Sequence, residues 1–316
     1  MTNLHILGNS GRKRKSMYDP NLAERINKET EAEIRKKQLE EKLKAKKLPK
    51  EQPAVITPSP IITPSNLKYS FLGDELGKTI NEKVQAKYGI FEAISKIQYD
   101  DNEKIIKGST PFYVVAVNEI FQEQFPQFRT ATQAELERIL KTNTLKLEGH
   151  YEDTGLVWRS NANPNEYLAK DIHNQFKARG IEFKEGTPYV IPLHTLKLRK
   201  DEQSKYKLAF DITDLTLNNY FEAPVLNEVS QKRFDSKDID AKTGLPSKLG
   251  DSGQRTLYTR NFDGYNPKNS GFCGLYLDRL LNAYSNDDYL AFSDADARVV
   301  VVSGEAGAQN FSAKNP

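Results

Sequence analysis

The chain has 316 residues and a formal net charge of +3, with 37% hydrophobic and 28% charged residues. This balance lacks the concentration of Lys and Arg that marks a nucleic-acid-binding domain. The single cysteine, Cys273, excludes an intrachain disulfide and a cysteine-rich zinc site. No apolar run reaches the length of a membrane span or a signal-peptide core, so we expect neither a transmembrane segment nor export.

The N-terminal part of the chain differs in composition from the rest. Residues 1–19 are predicted to be a disordered tail, whose basic run Arg12–Lys15 is either solvated or a nucleic-acid or localisation signal. Residues 20–48 are mostly charged and helix-forming, and they predict a solvated helix without a clean heptad, capable of weak self-association at most. Five prolines in 49–66 predict a semi-rigid linker, which leaves 67–316 as the globular domain.

Helical spacing of apolar residues predicts helices in the first half of this domain. Thr132 and Glu135 form the sequence pattern of a capping box, and Gly180 is typical of the position that follows a helix. The expected helical stretches are 74–98, 111–125, the run RTATQAELERILKTN and 164–179.

After Gly186 the pattern changes to strands. The runs TPYVIPL, KYKLAFDIT, NYFEAPVL and RTLYTR are rich in β-formers, and Pro224 suggests an edge strand. The run at 298–303, RVVVVS, is apolar on both faces and predicts a central, buried strand. Helices followed by strands, without a repeated βαβ pattern, predict an α+β domain with an antiparallel or mixed sheet.

No set of residues predicts catalysis, a metal site or a cofactor. The four histidines (His5, His150, His173 and His194) have no metal-ligand spacing, and no P-loop, GxGxxG or GxSxG motif occurs. The acidic run Asp235–Asp240 lacks the Gly and Glu that a calcium loop needs at its sixth and twelfth positions. We therefore predict no catalytic residue, no bound metal and no cofactor.

Residues 272–297 differ in composition from their surroundings. They contain no Lys, Glu, Gln, Met or Trp and are rich in Tyr, Phe, Asn, Asp and Ser, a composition typical of antibody paratopes. Mutating the adenines of AAC or AAT codons yields only codons that end in C or T, which encode none of the five missing types. The alternative is an ordinary irregular loop followed by a buried strand.

The run LYLDRLLNAYSNDDYLAFSDADARVVVVSGEA resembles the variable proteins of diversity-generating retroelements, especially those of archaea and their viruses. In that family, conserved framework residues alternate with positions mutagenised at adenines. The framework is matched by Leu275, Arg279, Leu281, Ser285, Leu290, Ala291, Ser293, Arg298 and Val299 to Val302. The stretches GSTPFYVVAVNEI, RTATQAELERIL, APVLNE and RTLYTR also look like the family's scaffold, so the resemblance covers roughly Gly108 to Gly304.

The resemblance implies a C-type lectin-like fold, with a mixed or antiparallel sheet and flanking helices, and a ligand-binding face within residues 272–297, here called the variable segment. The run RTATQAELERIL is similar to a motif of the branch that includes formylglycine-generating enzymes, so a catalytic or cofactor-handling protein is the alternative. The implied variable face consists of Phe272, Tyr276, Asp278, Leu280, Asn282, Tyr284, Asn286, Asp287, Asp288, Tyr289, Phe292, Asp294 and Asp296.

The expected partner of this face is a macromolecule, in particular a protein on a cell or virus surface. Five Asp residues on the face outnumber the one nearby cation, Arg279, which favours a cationic or aromatic partner and argues against nucleic acid. The absence of an export signal places the protein in the cytoplasm or in a virus particle.

Overall fold

The structure is a computed structural model. It describes residues 67–160, 167–184, 187–227, 231–259, 271–285 and 289–304. The predicted tail, charged helix and Pro-rich linker, at 1–19, 20–48 and 49–66, lie outside the described residues.

Six α-helices occur in the described part of the chain. They are α1 (Asp74–Tyr88), α2 (Glu92–Ser95), α3 (Pro111–Gln124), α4 (Gln133–Thr142), α5 (Tyr167–Ala178) and α6 (Asp214–Asn219). The predicted helix 74–98 is interrupted, because Phe91 takes an extended conformation (φ −90°, ψ 134°) before α2 begins. The predicted capping box is confirmed: Thr132 accepts from the backbone N–H of Glu135, and the Glu135 side chain accepts from the backbone N–H of Thr132.

The described strands are short except for β5. They are β1 (Lys68–Phe71), β2 (Gln98–Asp100), β3 (Ile105–Lys107), β4 (Phe128–Thr130), β5 (Glu152–Ser160), β6 (Thr187–Pro192), β7 (Leu196–Lys200), β8 (Leu208–Ile212), β9 (Phe221–Glu222), β10 (Lys232–Phe234), β11 (Arg255–Thr259), β12 (Phe272–Leu277), β13 (Ala283–Ser285) and β14 (Val300–Ser303). Short 3₁₀ turns follow β6, β9 and β10, at Leu193–Thr195, Pro224–Asn227 and Ser236–Asp238.

Seven strands form a mixed sheet in the order β10-β11-β13-β12-β5-β6-β9. Only β11 and β13 pair in parallel; the other neighbours are antiparallel. A second, three-stranded antiparallel sheet has the order β1-β14-β4. The strand that follows the variable segment, β14, thus lies between two others, as its apolar sequence predicts, and β9 lies at an edge, as Pro224 predicts.

Apolar cores cover both faces of the large sheet, as the alternation of residues along β5 illustrates. Leu156 and Trp158 belong to a core with α1, α3, α5 and the hairpin β7-β8, while Val157 belongs to a second core with β11, β12 and β14. Each core removes apolar surface from water, at roughly 25 cal/mol per Å². The sheet is therefore a fixed base for the side chains at the end where β5 begins and β12 ends.

Two buried ion pairs attach α4 to the strands around it. Both guanidinium nitrogens of Arg129 donate to Glu135, each at 2.6 Å, and those of Arg255 donate to Glu137 at 2.6 and 2.8 Å. Burial disfavours the charged form of Glu135, but Arg129 outweighs it and lowers the pKa of that carboxyl to about 2. Such bidentate pairs constrain the relative positions of the two side chains. The run RTATQAELERIL therefore has a structural role, which is to hold α4 against the neighbouring strands.

The predicted α+β class is confirmed, with helices flanking a mixed sheet. Among the described residues, no helix has both the length and the apolar character required to cross a bilayer. The strands β1 to β5, β7 and β10 were not predicted, and residues 272–285, expected to carry part of the variable face, contain β13 and also β12 in the middle of the sheet.

Candidate functional site

The variable segment contributes β12, β13 and the turn Asp278–Asn282 between them. The backbone N–H groups of Leu280 and Asn282 donate to Oδ1 of Asp278 at 2.9 and 2.8 Å, and Leu281 takes a left-handed conformation (φ +65°). The backbone N–H of Thr256 donates to Oδ1 of Asn282 at 2.8 Å. Short polar side chains therefore shape this turn through the backbone, as Asx turns do.

The second half of the variable segment is attached to the fixed scaffold through its backbone. The N–H of Leu290 donates to the Tyr206 hydroxyl at 3.1 Å. Nη1 of Arg298 donates to the carbonyl oxygens of Ala295 and Ala297 at 2.6 and 2.8 Å, with its side chain buried as expected. These bonds hold the main chain and leave the side chains between them free to point outward.

A cleft of about 270 Å³ lies between β12, β13 and the chain after residue 289. Its lining residues are Pro111, Tyr151, Asp153, Gly274, Tyr276, Asp278, Arg279, Tyr284, Tyr289, Leu290, Phe292 and Asp294. Six members of the predicted variable face line it: Tyr276, Asp278, Tyr284, Tyr289, Phe292 and Asp294. Positions spread over nineteen residues of sequence are thus brought to one concave surface, the usual form of a ligand site.

Tyrosine rings form one wall of the cleft. Tyr284 stacks on Tyr258 with ring centroids 4.3 Å apart and on Tyr276 with centroids 5.1 Å apart, and Tyr151 meets Tyr276 edge to face at 5.9 Å. Burial and the nearby Asp278 raise the pKa of Tyr284, and burial and Asp153 raise that of Tyr151. Both phenols therefore stay protonated at neutral pH and offer neutral aromatic surface.

Carboxylates line the same cleft. The backbone N–H of Asp296 donates to Oδ1 of Asp294 at 2.8 Å, and the Ser109 hydroxyl donates to Oδ2 of Asp153 at 2.7 Å. Arg279 supplies the one guanidinium among the described lining residues, and its Nη1 lies 2.7 Å from Oδ2 of Asp296. The lining as a whole is acidic.

The remaining positions of the predicted variable face differ in their exposure to solvent. Leu280 is 71% exposed on the turn, and Asn282 and Asp296 are partly exposed beside it. Phe272 is a correction: it lies on the same face of β12 as Gly274 and Tyr276, but at the start of the strand this face is covered by the core, where the Phe272 ring contacts Phe210 and is only 2% exposed. Asn286, Asp287 and Asp288 lie outside the described residues.

Three cleft residues belong to the fixed scaffold and were missed by the sequence analysis. Pro111 begins α3, and Tyr151 and Asp153 lie at the start of β5 on the face opposite Glu152. Their spacing of two is the signal of a strand, but the run HYEDTGLVWRS mixes charge, glycine and apolar residues and was not read as one. Arg279, matched to the framework, lines the cleft instead of packing inside.

The predicted absence of a metal and of a catalytic set stays a prediction. No three His, Cys, Asp or Glu side chains in the described ranges are arranged to hold a metal ion. Cys273 is buried and its thiol donates to the carbonyl oxygen of Ser285 at 3.0 Å. His194 is buried beside Arg129, and burial followed by that charge lowers its pKa to about 3.

One buried carboxyl is unusual. In the described residues neither oxygen of Glu152 has a hydrogen-bond partner, although the residue is 2% exposed. Burial, and then Asp153, raise the pKa of Glu152 well above its ordinary value, while Arg298 opposes the shift. Asp153 lines the cleft and Glu152 does not, so the buried carboxyl affects the stability of the domain and not the lining of the cleft.

Comparison with known proteins adds no identity: no family model, no curated protein and no solved structure matches the chain.

Proposed function

We propose that the chain is a ligand-binding protein with a C-type lectin-like fold, whose variable segment is diversified by a retroelement. One observation carries the proposal: six of the positions expected to vary line a single cleft, while most of the positions expected to be constant are buried. Leu275 is fully buried and Leu290 is 4% exposed, whereas Tyr289 and Phe292, beside Leu290, are 48% and 53% exposed. A rigid scaffold with outward-facing variable positions is how binding loops are presented.

The fold supports the proposal in a second way. The first strand of the domain, β1, pairs along its whole length with β14, and β12 lies at the centre of the large sheet. Both ends of the variable segment are therefore anchored in hydrogen-bonded strands. Between these anchors, a change at an exposed side chain such as Phe292 alters the surface and leaves the main chain in place, whereas Asp278 and Asn282 also hold the turn through their side-chain hydrogen bonds.

The expected partner is a protein displayed on a cell or a virus particle. The cleft has the aromatic residues that dominate binding hot spots, with short polar residues around them. Such a surface provides contact area at low entropic cost and suits recognition of another macromolecule.

Two matched libraries test the proposal. In the first, Leu280, Tyr289, Phe292 and Asp294 are randomised with codons that end in C or T; in the second, Leu275, Leu277, Leu290 and Val301 are randomised in the same way. Display followed by protease challenge measures the folded fraction of each. We expect most members of the first library to resist the protease and few of the second, because core replacements cost about 2–5 kcal/mol each. Equal folded fractions would refute the proposal.

A genomic observation tests the retroelement directly. We expect a near-copy of the DNA that encodes residues 270–300 close to the gene, with adenines at the variable positions, and a reverse transcriptase gene beside it. Flanking DNA that has neither feature would contradict diversification while leaving ligand binding at the cleft open to measurement.

A further inference from the structure

The cleft combines flat aromatic rings with negative charge. Tyr276, Tyr289 and Phe292 supply ring surface, and the carboxylates of Asp153, Asp278 and Asp294 line the same cleft. Rings attract a cation through their negative faces, and carboxylates attract it through charge. Both features therefore favour a cationic ligand.

Neutral groups donate hydrogen bonds to each of the three carboxylates. The Leu280 and Asn282 amides donate to Asp278, the Asp296 amide donates to Asp294, and the Ser109 hydroxyl donates to Asp153. The amides that donate to Asp278 and Asp294 orient these carboxylates without cancelling their charge. The cation of the described lining, Arg279, is already engaged with Asp296 at 2.7 Å, so the cleft keeps an acidic surplus.

We propose that the cleft binds the guanidinium group of an arginine side chain projecting from a partner protein. A guanidinium is planar and stacks on a tyrosine or phenylalanine ring while its edge donates two hydrogen bonds to a carboxylate. A lysine ammonium offers the charge without the flat face. The inference rests on the proposed function in that it names the ligand chemistry of the same cleft.

Part of this site is independent of the variable segment. Tyr151 directly precedes β5 and Asp153 lies on it, both outside residues 272–297, and Asp153 is the register partner of Tyr276 on β12. A β-bulge between Leu275 and Tyr276 sets this pairing, and such bulges re-aim side chains near sites. The fixed residues give the cleft a constant preference for a cation, and the variable residues set which arginine-bearing surface fits.

The test is a calorimetric titration of the full chain with short peptides at low ionic strength. One peptide carries a single arginine between glycine and serine residues; the others carry citrulline, lysine or glutamate at that place. Citrulline keeps the shape of arginine and removes the charge. We expect saturable binding of the arginine peptide, about tenfold weaker binding of the citrulline peptide, and an intermediate affinity for lysine, since one charge-assisted hydrogen bond corresponds to roughly that factor.

Charge-neutral variants locate the binding. Asp294→Asn and Asp153→Asn keep an acceptor for the amide and the hydroxyl, and each is expected to weaken the arginine peptide by about tenfold. Asp251→Asn is the matched control, because its carboxylate is 95% exposed, outside the cleft and paired with Lys232. It removes the same net charge and is expected to leave the affinity unchanged.

Three results would overturn the inference: equal affinity for the arginine and citrulline peptides, tighter binding of the glutamate peptide, or no saturation up to about 10 mM arginine peptide. Its failure is separable from failure of the proposed function. Folded libraries and a template repeat, together with an absent arginine preference, would retain the diversified binder and reject only this ligand class.

Discussion

Two arginines at the turn Asp278–Asn282 differ in burial: one lies beneath the turn, and the other is part of it. Arg255 is buried beneath it and donates to both carboxylate oxygens of Glu137 and to the carbonyl oxygen of Leu281. Arg279 is in the turn itself, 60% exposed, and pairs with the half-exposed Asp296. The comparison indicates that the turn is held from below by residues outside the variable segment, which leaves the upper side free to change.

Arg255→Ala gives the largest effect that this comparison predicts. The substitution leaves the carboxylate of Glu137 buried without its partner, and we expect a loss of about 3–5 kcal/mol in the free energy of unfolding. Arg279→Ala removes the same charge from an exposed pair and is expected to cost about 0–1 kcal/mol. Urea denaturation of both variants measures the difference. Similar losses would mean that the turn is not anchored from below.

Two adjacent acidic residues on β5 differ in the same way, since one belongs to the buried scaffold and the other to the cleft. Glu152 is buried without a hydrogen-bond partner among the described residues, and Asp153 lines the cleft. Glu152→Gln removes a buried ionisable group and is expected to stabilise the domain by about 1–3 kcal/mol above neutral pH. Asp153→Asn, the neighbouring control, is expected to change stability by no more than about 0.5 kcal/mol.

The sign of the pH dependence follows from the raised pKa of Glu152. Because the folded state holds this proton more tightly than the unfolded chain, stability falls as the pH rises above the unfolded value of 4.5. The gain from Glu152→Gln should therefore be absent near about pH 4 and grow towards about pH 8. Thermal melts across this range test it, and a gain that is constant with pH would contradict the burial argument.

Tyr284 tests where the fixed scaffold ends and the variable surface begins. It was predicted for the variable face, yet its ring stacks between Tyr258 and Tyr276. Replacing Tyr284 by Ser should cost about 1 kcal/mol from the lost stacking, beyond the area it buries. Tyr289→Ser is the control, since Tyr289 is 48% exposed at the rim. If chemical denaturation finds Tyr284 as tolerant as Tyr289, the stacked wall belongs to the variable surface after all.

The sequence could predict the features that depend on neighbouring residues, but not those that depend on distant contacts. The helix cap at Thr132, the edge at Pro224 and the central strand at 298–303 follow from local chemistry, and they are observed. Phe272 was misplaced because its burial comes from Phe210, about sixty residues earlier in the chain, and no local pattern shows that the core covers this end of β12. Tyr151 and Asp153 reach the cleft only through pairing with a strand more than a hundred residues away, and no local pattern specifies that register.

The smallest expected effects belong to the outer rim. Leu280 is 71% exposed on the turn and Phe292 is 53% exposed at the mouth of the cleft, so neither loses much contact on substitution. Leu280→Ser and Phe292→Ser should each change the free energy of unfolding by no more than about 0.5 kcal/mol, while Leu290→Ala, with its side chain 4% exposed, should cost about 2–5 kcal/mol. Under the proposed function, these exposed apolar side chains provide contact area for the ligand. If Phe292→Ser destabilises the domain as strongly as Leu290→Ala, the Phe292 ring is part of the core and does not belong to the rim of the cleft.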